Sequence, residues 1–177
     1  VVVAVGMTLV LIAGGIDLSV GSVIGLSAVV GAILSDATGM PLVGLIGAIL
    51  IGTLVGLVNG LLVTRVRINP FITTLGTLSI ARGAALLVTN GNPQRFDNWA
   101  AWLGYGRIEG VPVQFLLLVA LTIVVWIFAT RTRPGRNIYA VGDNARAARL
   151  AGIGVERVRI LVFMISGSLA GLGGLLL

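Results

Sequence analysis

Residues 41–63 run for 23 positions without one charged side chain, and that stretch narrows the possible folds more than any other feature. A helix crossing a bilayer needs about 20 mostly apolar residues. Two further stretches, 70–89 and 113–130, are comparable, and only Arg82 interrupts them. At 1.5 Å per residue the three would reach roughly 34, 30 and 27 Å as helices. Shorter apolar runs occupy 1–13, 20–34 and 160–177. Over the whole chain 57% of residues are apolar and 10% charged, with mean hydropathy +1.10, against about 25% charged in a soluble domain. So few charges cannot cover a water-soluble domain of 177 residues. The expected fold is all-α, a polytopic transmembrane helix bundle of five to six apolar segments in a single domain over 1–177.

Several chemistries are excluded at once. The chain has no Cys and no His, which removes thiolate nucleophiles, the usual general base and the commonest metal ligand. All twelve basic residues are Arg, so the Lys that a P-loop requires is missing. No two carboxylates converge along the sequence. An enzyme, a resident metal and a cofactor in this chain are therefore not expected. The net charge of +6 could suggest nucleic acid, but the arginines lie in short segments between apolar runs rather than on one basic face.

Those arginines set the orientation instead. Segments 64–69 and 131–159 hold nine of the twelve. Segment 90–112 carries Arg95 and Arg107 balanced by Asp97 and Glu109, and 35–40 carries only Asp36. Basic residues favour the cytoplasmic side, so 64–69 and 131–159 are expected inside, with 35–40 and 90–112 outside. Counting crossings gives the same alternation. Trp99, Trp102 and Tyr105 in the outer loop suit the headgroup layer. Apolar runs reach Val1 and Leu177, with no basic n-region or cleavage signal. The expectation is a fragment of a longer protein, lacking spans at both ends.

Glycine recurs every fourth position at Gly52, Gly56 and Gly60, and the spacing repeats at Gly21/Gly25 and Gly167/Gly171. Small residues let helix backbones approach closely where lipid supplies no hydrophobic drive. Packing within one subunit is favoured over a dimer seam.

Polar residues inside the apolar pattern are the functional candidates. Gly14-Gly15-Ile16-Asp17-Leu18-Ser19 breaks the first runs. The 20–34 run reaches only about 22 Å as a helix. The break reads as an interrupted helix, with Asp17 or Ser19 capping the next one. Irregular backbone at membrane depth requires protein or a wet cavity around it. Asp17 and Ser19 are thus either polar elements beside a translocation path or caps at the cytoplasmic surface. Asn69-Pro70 has the residues of a helix start. Thr73, Thr74 and Thr77 follow at helical spacings, where they can bond a solute or, by preference, a neighbouring helix. Arg82 lies about 18 Å into that helix and should pair, with Asp36 and Asp97 as the candidates; direct solute contact is the lesser possibility.

Within 131–159, Arg131-Thr-Arg-Pro-Gly-Arg ends a span with basic anchors and a turn. Asp143 or Asn144 can N-cap a short helix over 145–151 that Gly152 would close. A helix of two turns is marginal alone. Exposed Arg146, Arg149 and Leu150 would suit docking onto a partner, which a generic basic loop does not require.

Three segments carry a resemblance: Gly14 through Ser22, Asn69 through Thr77, and Gly135 through Ile153. Together they resemble the ribose-type branch of ABC importer permeases, which includes ribose, xylose, arabinose and autoinducer-2 transporters. The likeness covers nearly the whole chain. It implies a homodimeric or heterodimeric permease in a bacterial inner membrane, served by a periplasmic solute-binding protein outside and a separate ATPase inside. ATP-Mg would sit in that ATPase. The 131–159 loop then resembles the cytoplasmic coupling loop, with Gly135, Asp143, Asn144, Arg146, Arg149, Leu150 and Gly152 at its positions. Asp17, Ser19, Asn69, Thr73, Thr74 and Arg82 are the expected path residues. An ion-coupled secondary transporter is the alternative; it would need an intramembrane acid, for which Asp17 alone is available.

Overall fold

The computed structural model describes residues 2–92 and 99–176. Among the described residues four helices are long and apolar enough to span a membrane: α2 (Val20–Thr38), α3 (Pro41–Thr64), α4 (Pro70–Thr89) and α6 (Val113–Arg131). The shorter apolar α1 (Val2–Ile12) precedes them. Between α4 and α6 come α5 (Trp99–Tyr105) and a hairpin of β1 (Arg107–Ile108) with β2 (Val111–Pro112). Glu109 and Gly110 make its two-residue turn, both at positive φ, the conformation that two-residue hairpins favour. After α6 the chain forms α7 (Arg133–Asp143), α8 (Ala145–Leu150) and α9 (Val155–Gly174).

Helix α9 is the axis of the bundle, and glycine is why. Cβ atoms on Gly52, Gly56 and Gly167 would overlap the main-chain carbonyl oxygens of Gly167, Phe163 and Gly52 respectively. Gly171 stands in the same relation to Ala48. The α3–α9 backbones are therefore in direct contact, as the four-residue spacing predicts. Gly21 and Gly25 differ: no atom of the bundle lies within 4 Å of a Cβ added there.

Contacts along the helices order the two ends. Gly6 of α1 lies against Ser166 and Leu169, and Gly142 of α7 against the Ile12 carbonyl, so α1 runs antiparallel to α9 and ends beside α7. Arg65 Nε approaches Glu156 Oε2 at 3.9 Å, which puts 64–69 and the start of α9 on one side. Gln114 Nε2 donates to the Leu176 carbonyl at 2.9 Å, which puts the start of α6 at the opposite end. The alternation agrees with the arginine distribution.

Three boundaries depart from expectation. Helix α2 continues to Thr38, about 28 Å long, so it does not fall short of a span; Asp36 rides its exposed last turn, and the link to α3 shrinks to Gly39 and Met40. Gly39 ends α2 in the left-handed conformation. Helix α9 begins at Val155 because its charged first turn projects beyond the apolar part. Arg133 to Asp143 is helical rather than a turn: Pro134 sits in its first turn, and the Thr132 hydroxyl accepts the Gly135 N–H at 3.1 Å.

Candidate functional site

The break between α1 and α2 begins at the inner end and climbs into the bundle. Gly14 turns the chain at φ 76°, and Gly14 and Gly15 line a cavity on the arginine-bearing side. Asp17 and Ser19 follow, 2% and 1% exposed. Ser19 stands at the N-cap of α2 but makes no side-chain cap; its backbone there is helical. Its hydroxyl and its N–H instead both donate to Asp17 Oδ1, at 2.6 and 3.0 Å. Ser19 is thus not a side-chain cap, whereas Asp17 accepts the Ser19 N–H just ahead of α2 and holds the Ser19 hydroxyl as well.

Two residues absent from the sequence-based candidates complete the arrangement. Ser166 Oγ of α9 donates to Asp17 Oδ2 at 3.1 Å. Asn59 Nδ2 of α3 donates to Ser19 Oγ at 3.0 Å, and Asn59 Oδ1 accepts from Thr77 of α4 at 2.6 Å. A continuous chain Ser166–Asp17–Ser19–Asn59–Thr77 therefore ties the break to α9, α3 and α4. Asn59 and Ser166 are completely buried. Asn59 lies six residues before Arg65, Thr77 seven after Pro70, and Ser166 seven after Arg159. Asn59 and Thr77 are thus roughly 9–11 Å along their helices from the inner end, and Ser166, eleven residues past Val155, is roughly 16 Å along α9. The network is thus within the bundle rather than at its surface, and every polar group in it has a partner, as a site away from water demands.

The threonines of α4 divide. Thr77 reaches the neighbouring helix. Thr74 bonds back to the Pro70 carbonyl at 2.9 Å. Thr73 is 6% exposed and its hydroxyl has no hydrogen-bond partner. Asn69 caps α4 through the Phe71 N–H at 2.9 Å and is exposed on the inner cavity. Arg82 is exposed and makes no ion pair with Asp36. Both side chains are exposed, Asp36 on the last turn of α2. The other expected partner, Asp97, lies outside the described residues, and the side chain of Trp99 does as well.

Around α8 the expected signals are present in full. Asn144, not Asp143, is the N-cap: Asn144 Oδ1 accepts the N–H groups of Arg146 and Ala147, both at 3.0 Å. Asp143 is the exposed last residue of α7, where its backbone is already committed to the preceding helix. Gly152 has φ 81°. Its N–H bonds the Arg149 carbonyl at 3.1 Å, and the Ile153 N–H bonds the Ala148 carbonyl at 3.0 Å, the paired closure of a Schellman motif. Ala148 is buried in a core shared with Val63, Ile138, Val141 and Phe163. That core supplies what an isolated two-turn helix lacks. Arg146 and Arg149 are exposed, and Leu150 is 87% exposed. Gly135 is buried, where a Cβ would overlap the Phe128 and Ala129 carbonyls. It lets α7 fold tightly against the end of α6 rather than presenting a surface.

A multi-span helical bundle with a buried polar network and a short inner helix capped at both ends defines a polytopic membrane protein, and sequence comparison gives its family. The family described as branched-chain amino acid transport system / permease component matches residues 1–177; the chain belongs to it and is a multi-pass protein of the bacterial inner membrane. It is 38% identical to the ribose import permease protein RbsC of Escherichia coli, over 99% of this chain and 56% of that protein. It is also 38% identical to the D-allose transport system permease protein AlsC of Escherichia coli, covering 98% and 54%. Against the L-arabinose ABC transporter permease protein AraH of Azospirillum brasilense the figures are 38%, 99% and 52%. The chain spans about half the length of these relatives. No solved structure matches it.

Proposed function

We propose that this chain is the membrane-embedded part of an ABC importer that carries a monosaccharide or related small polar solute. A separate ATPase docks on α8, a periplasmic binding protein delivers solute outside, and a second permease subunit, identical or related, completes the path. The observation that carries this reading is α8. It is capped at both ends, seated through Ala148 and free to present Arg146, Arg149 and Leu150. Such a helix transmits a push without unfolding. Its seat joins α7 to α9 and α3, and α9 carries one end of the chain through Asp17. Movement of α8 thus has a packed route to the break between α1 and α2. A shift in access follows only if the ATPase contacts α8 differently in its ATP-bound and free states.

Relatives named for ribose, allose and arabinose import support the solute class. Asp17, Ser19, Asn69, Thr73, Thr74 and Arg82 are proposed beside the path. The unpartnered Thr73 hydroxyl suits a sugar hydroxyl, since a buried polar group without a partner carries a penalty that a ligand can remove.

The test is the Arg146→Glu/Arg149→Glu double variant of the full-length protein, reconstituted with its ATPase and binding protein. Uptake should fall on the order of tenfold or more, the scale on which charge pairs at an interface act. Insertion and thermal stability should stay as in the wild type. Unchanged uptake rejects the docking role, and ion-driven uptake without an ATPase rejects the ABC reading.

A further inference from the structure

Beside the glycines of the break lies a cavity of about 540 Å³. Its lining combines the buried Val10, Val63, Val162 and Phe163 with the more accessible Arg67, Arg149 and Arg159. These arginines come to one cavity lining from three separate elements: the α3–α4 link, α8 and α9. One carboxylate, Glu156, shares the lining, and it leans toward Arg65 outside the cavity. Among the described residues none of the three cavity arginines is in an ion pair. Positive-inside topology accounts for arginines near the inner surface, but not for their convergence on one concavity.

The backbone at Arg67 adds an independent sign. Its φ is 63°, in the left-handed region that residues with a Cβ seldom adopt. Hydrogen bonds from the Val66 and Ile68 N–H groups to the Leu61 and Leu62 carbonyls hold that turn. That left-handed turn carries Arg67 into the cavity lining. Such strain concentrates at ligand clamps. The starts of α4 and α9, at Pro70 and Val155, also border the cavity and add the positive ends of their dipoles.

We propose that this cavity binds a phosphate group, with Arg67 and Arg159 as its clamps and Arg149 closing it from α8. Guanidinium forks match phosphate oxygens, and an apolar wall below a cationic rim at the inner face suits an anionic phospholipid whose first acyl carbons enter the cavity. A soluble phosphate would use the same arginines without the wall. Occupancy bridges α8 to the α3–α4 link and so restrains the helix on which the ATPase is proposed to dock.

The experiment uses full-length protein in phosphatidylcholine nanodiscs carrying trace spin-labelled phosphatidylglycerol or spin-labelled phosphatidylcholine. Wild-type protein should immobilise the anionic lipid in preference to the neutral one. Arg67→Gln/Arg159→Gln should weaken that preference on the order of tenfold, whereas Arg133→Gln/Arg136→Gln, equal in charge but remote from the cavity, should leave it intact. Competition by millimolar inorganic phosphate assigns the site to soluble phosphate, and resistance to it assigns the site to lipid. The proposal is overturned if neither anionic lipid nor inorganic phosphate binds preferentially, or if both double variants lose binding equally. Arg149 stays unchanged throughout, so the outcome is independent of the docking test. A size-exclusion profile equal to wild type verifies folding, and an Arg67→Lys/Arg159→Lys variant that retains part of the preference verifies the charge requirement.

Discussion

At Asp17 three donors from Ser19 and Ser166 close on one carboxylate, whereas at the inner face Arg67, Arg149 and Arg159 line a cavity with Glu156 as their one acidic neighbour. Both regions are polar and both belong to the same bundle. They differ in solvent. Where water is excluded, an unmet hydrogen bond costs about 1–3 kcal/mol, so the chain completes its network from within. At the aqueous face the same groups can be left open at little cost, and the open ones are available to another molecule. Apart from the buried, unpartnered Ser27 and Thr73 hydroxyls, the deeper polar groups tie helices together and the inner arginines stay open.

That contrast makes graded predictions. The largest effect should come from Gly167→Leu, because both walls around Gly167 are main chain of α3 and cannot yield as side chains do. Overpacking usually costs about 1–3 kcal/mol and more where nothing can move. The expected outcome is loss of monodisperse full-length protein in detergent, taking the α8 surface with it. Recovery of a normal profile would mean that the α3–α9 contact is not the scaffold for both regions.

Asp17→Ala comes next. It leaves the Ser19 and Ser166 hydroxyls buried without their acceptor, for an expected loss of about 2–3 kcal/mol in thermal or denaturant unfolding. Asp17→Asn keeps one carbonyl oxygen and should lose less, while transport still falls. Wild-type transport in the Asn variant would confine Asp17 to holding structure.

The smallest global effect belongs to Asn144→Ala. It removes an N-cap accepting two backbone N–H groups, a change worth about 1 kcal/mol. Amide exchange should accelerate over 145–150 and coupled transport should decline, with the global unfolding midpoint nearly unchanged. A large drop in that midpoint would blur the division between scaffold and docking surface.

Much of the architecture was readable in advance. Helix α4 falls on 70–89 because Asn69 and Pro70 mark its start with local chemistry and Asn90 closes it in the left-handed conformation. The α8 caps were equally local, down to Gly152. The true extent of α2 was not, since Ser35 and Asp36 look like loop residues while nothing stops the helix before Gly39. Helix α7 was hidden for a related reason: Arg133-Pro134-Gly135-Arg136 has the composition of a turn, so the local start given by Thr132 and Pro134 shows only once the helix packs against α6 and α1. The Asn59–Ser19 and Ser166–Asp17 bonds join residues 40 and 149 positions apart. One signal for Asn59 did exist, as the only amide side chain within α3.

Solvent preference, direction of crossing and the short capped helix are written in one dimension, because transfer free energy, charge asymmetry and capping each act over a few neighbouring residues. Which polar groups meet is not. That depends on α3 and α9 approaching to backbone contact and on the break turning back into the bundle. Only then do serines and an asparagine on otherwise apolar helices converge on one carboxylate, and only then do arginines from three distant segments share one cavity.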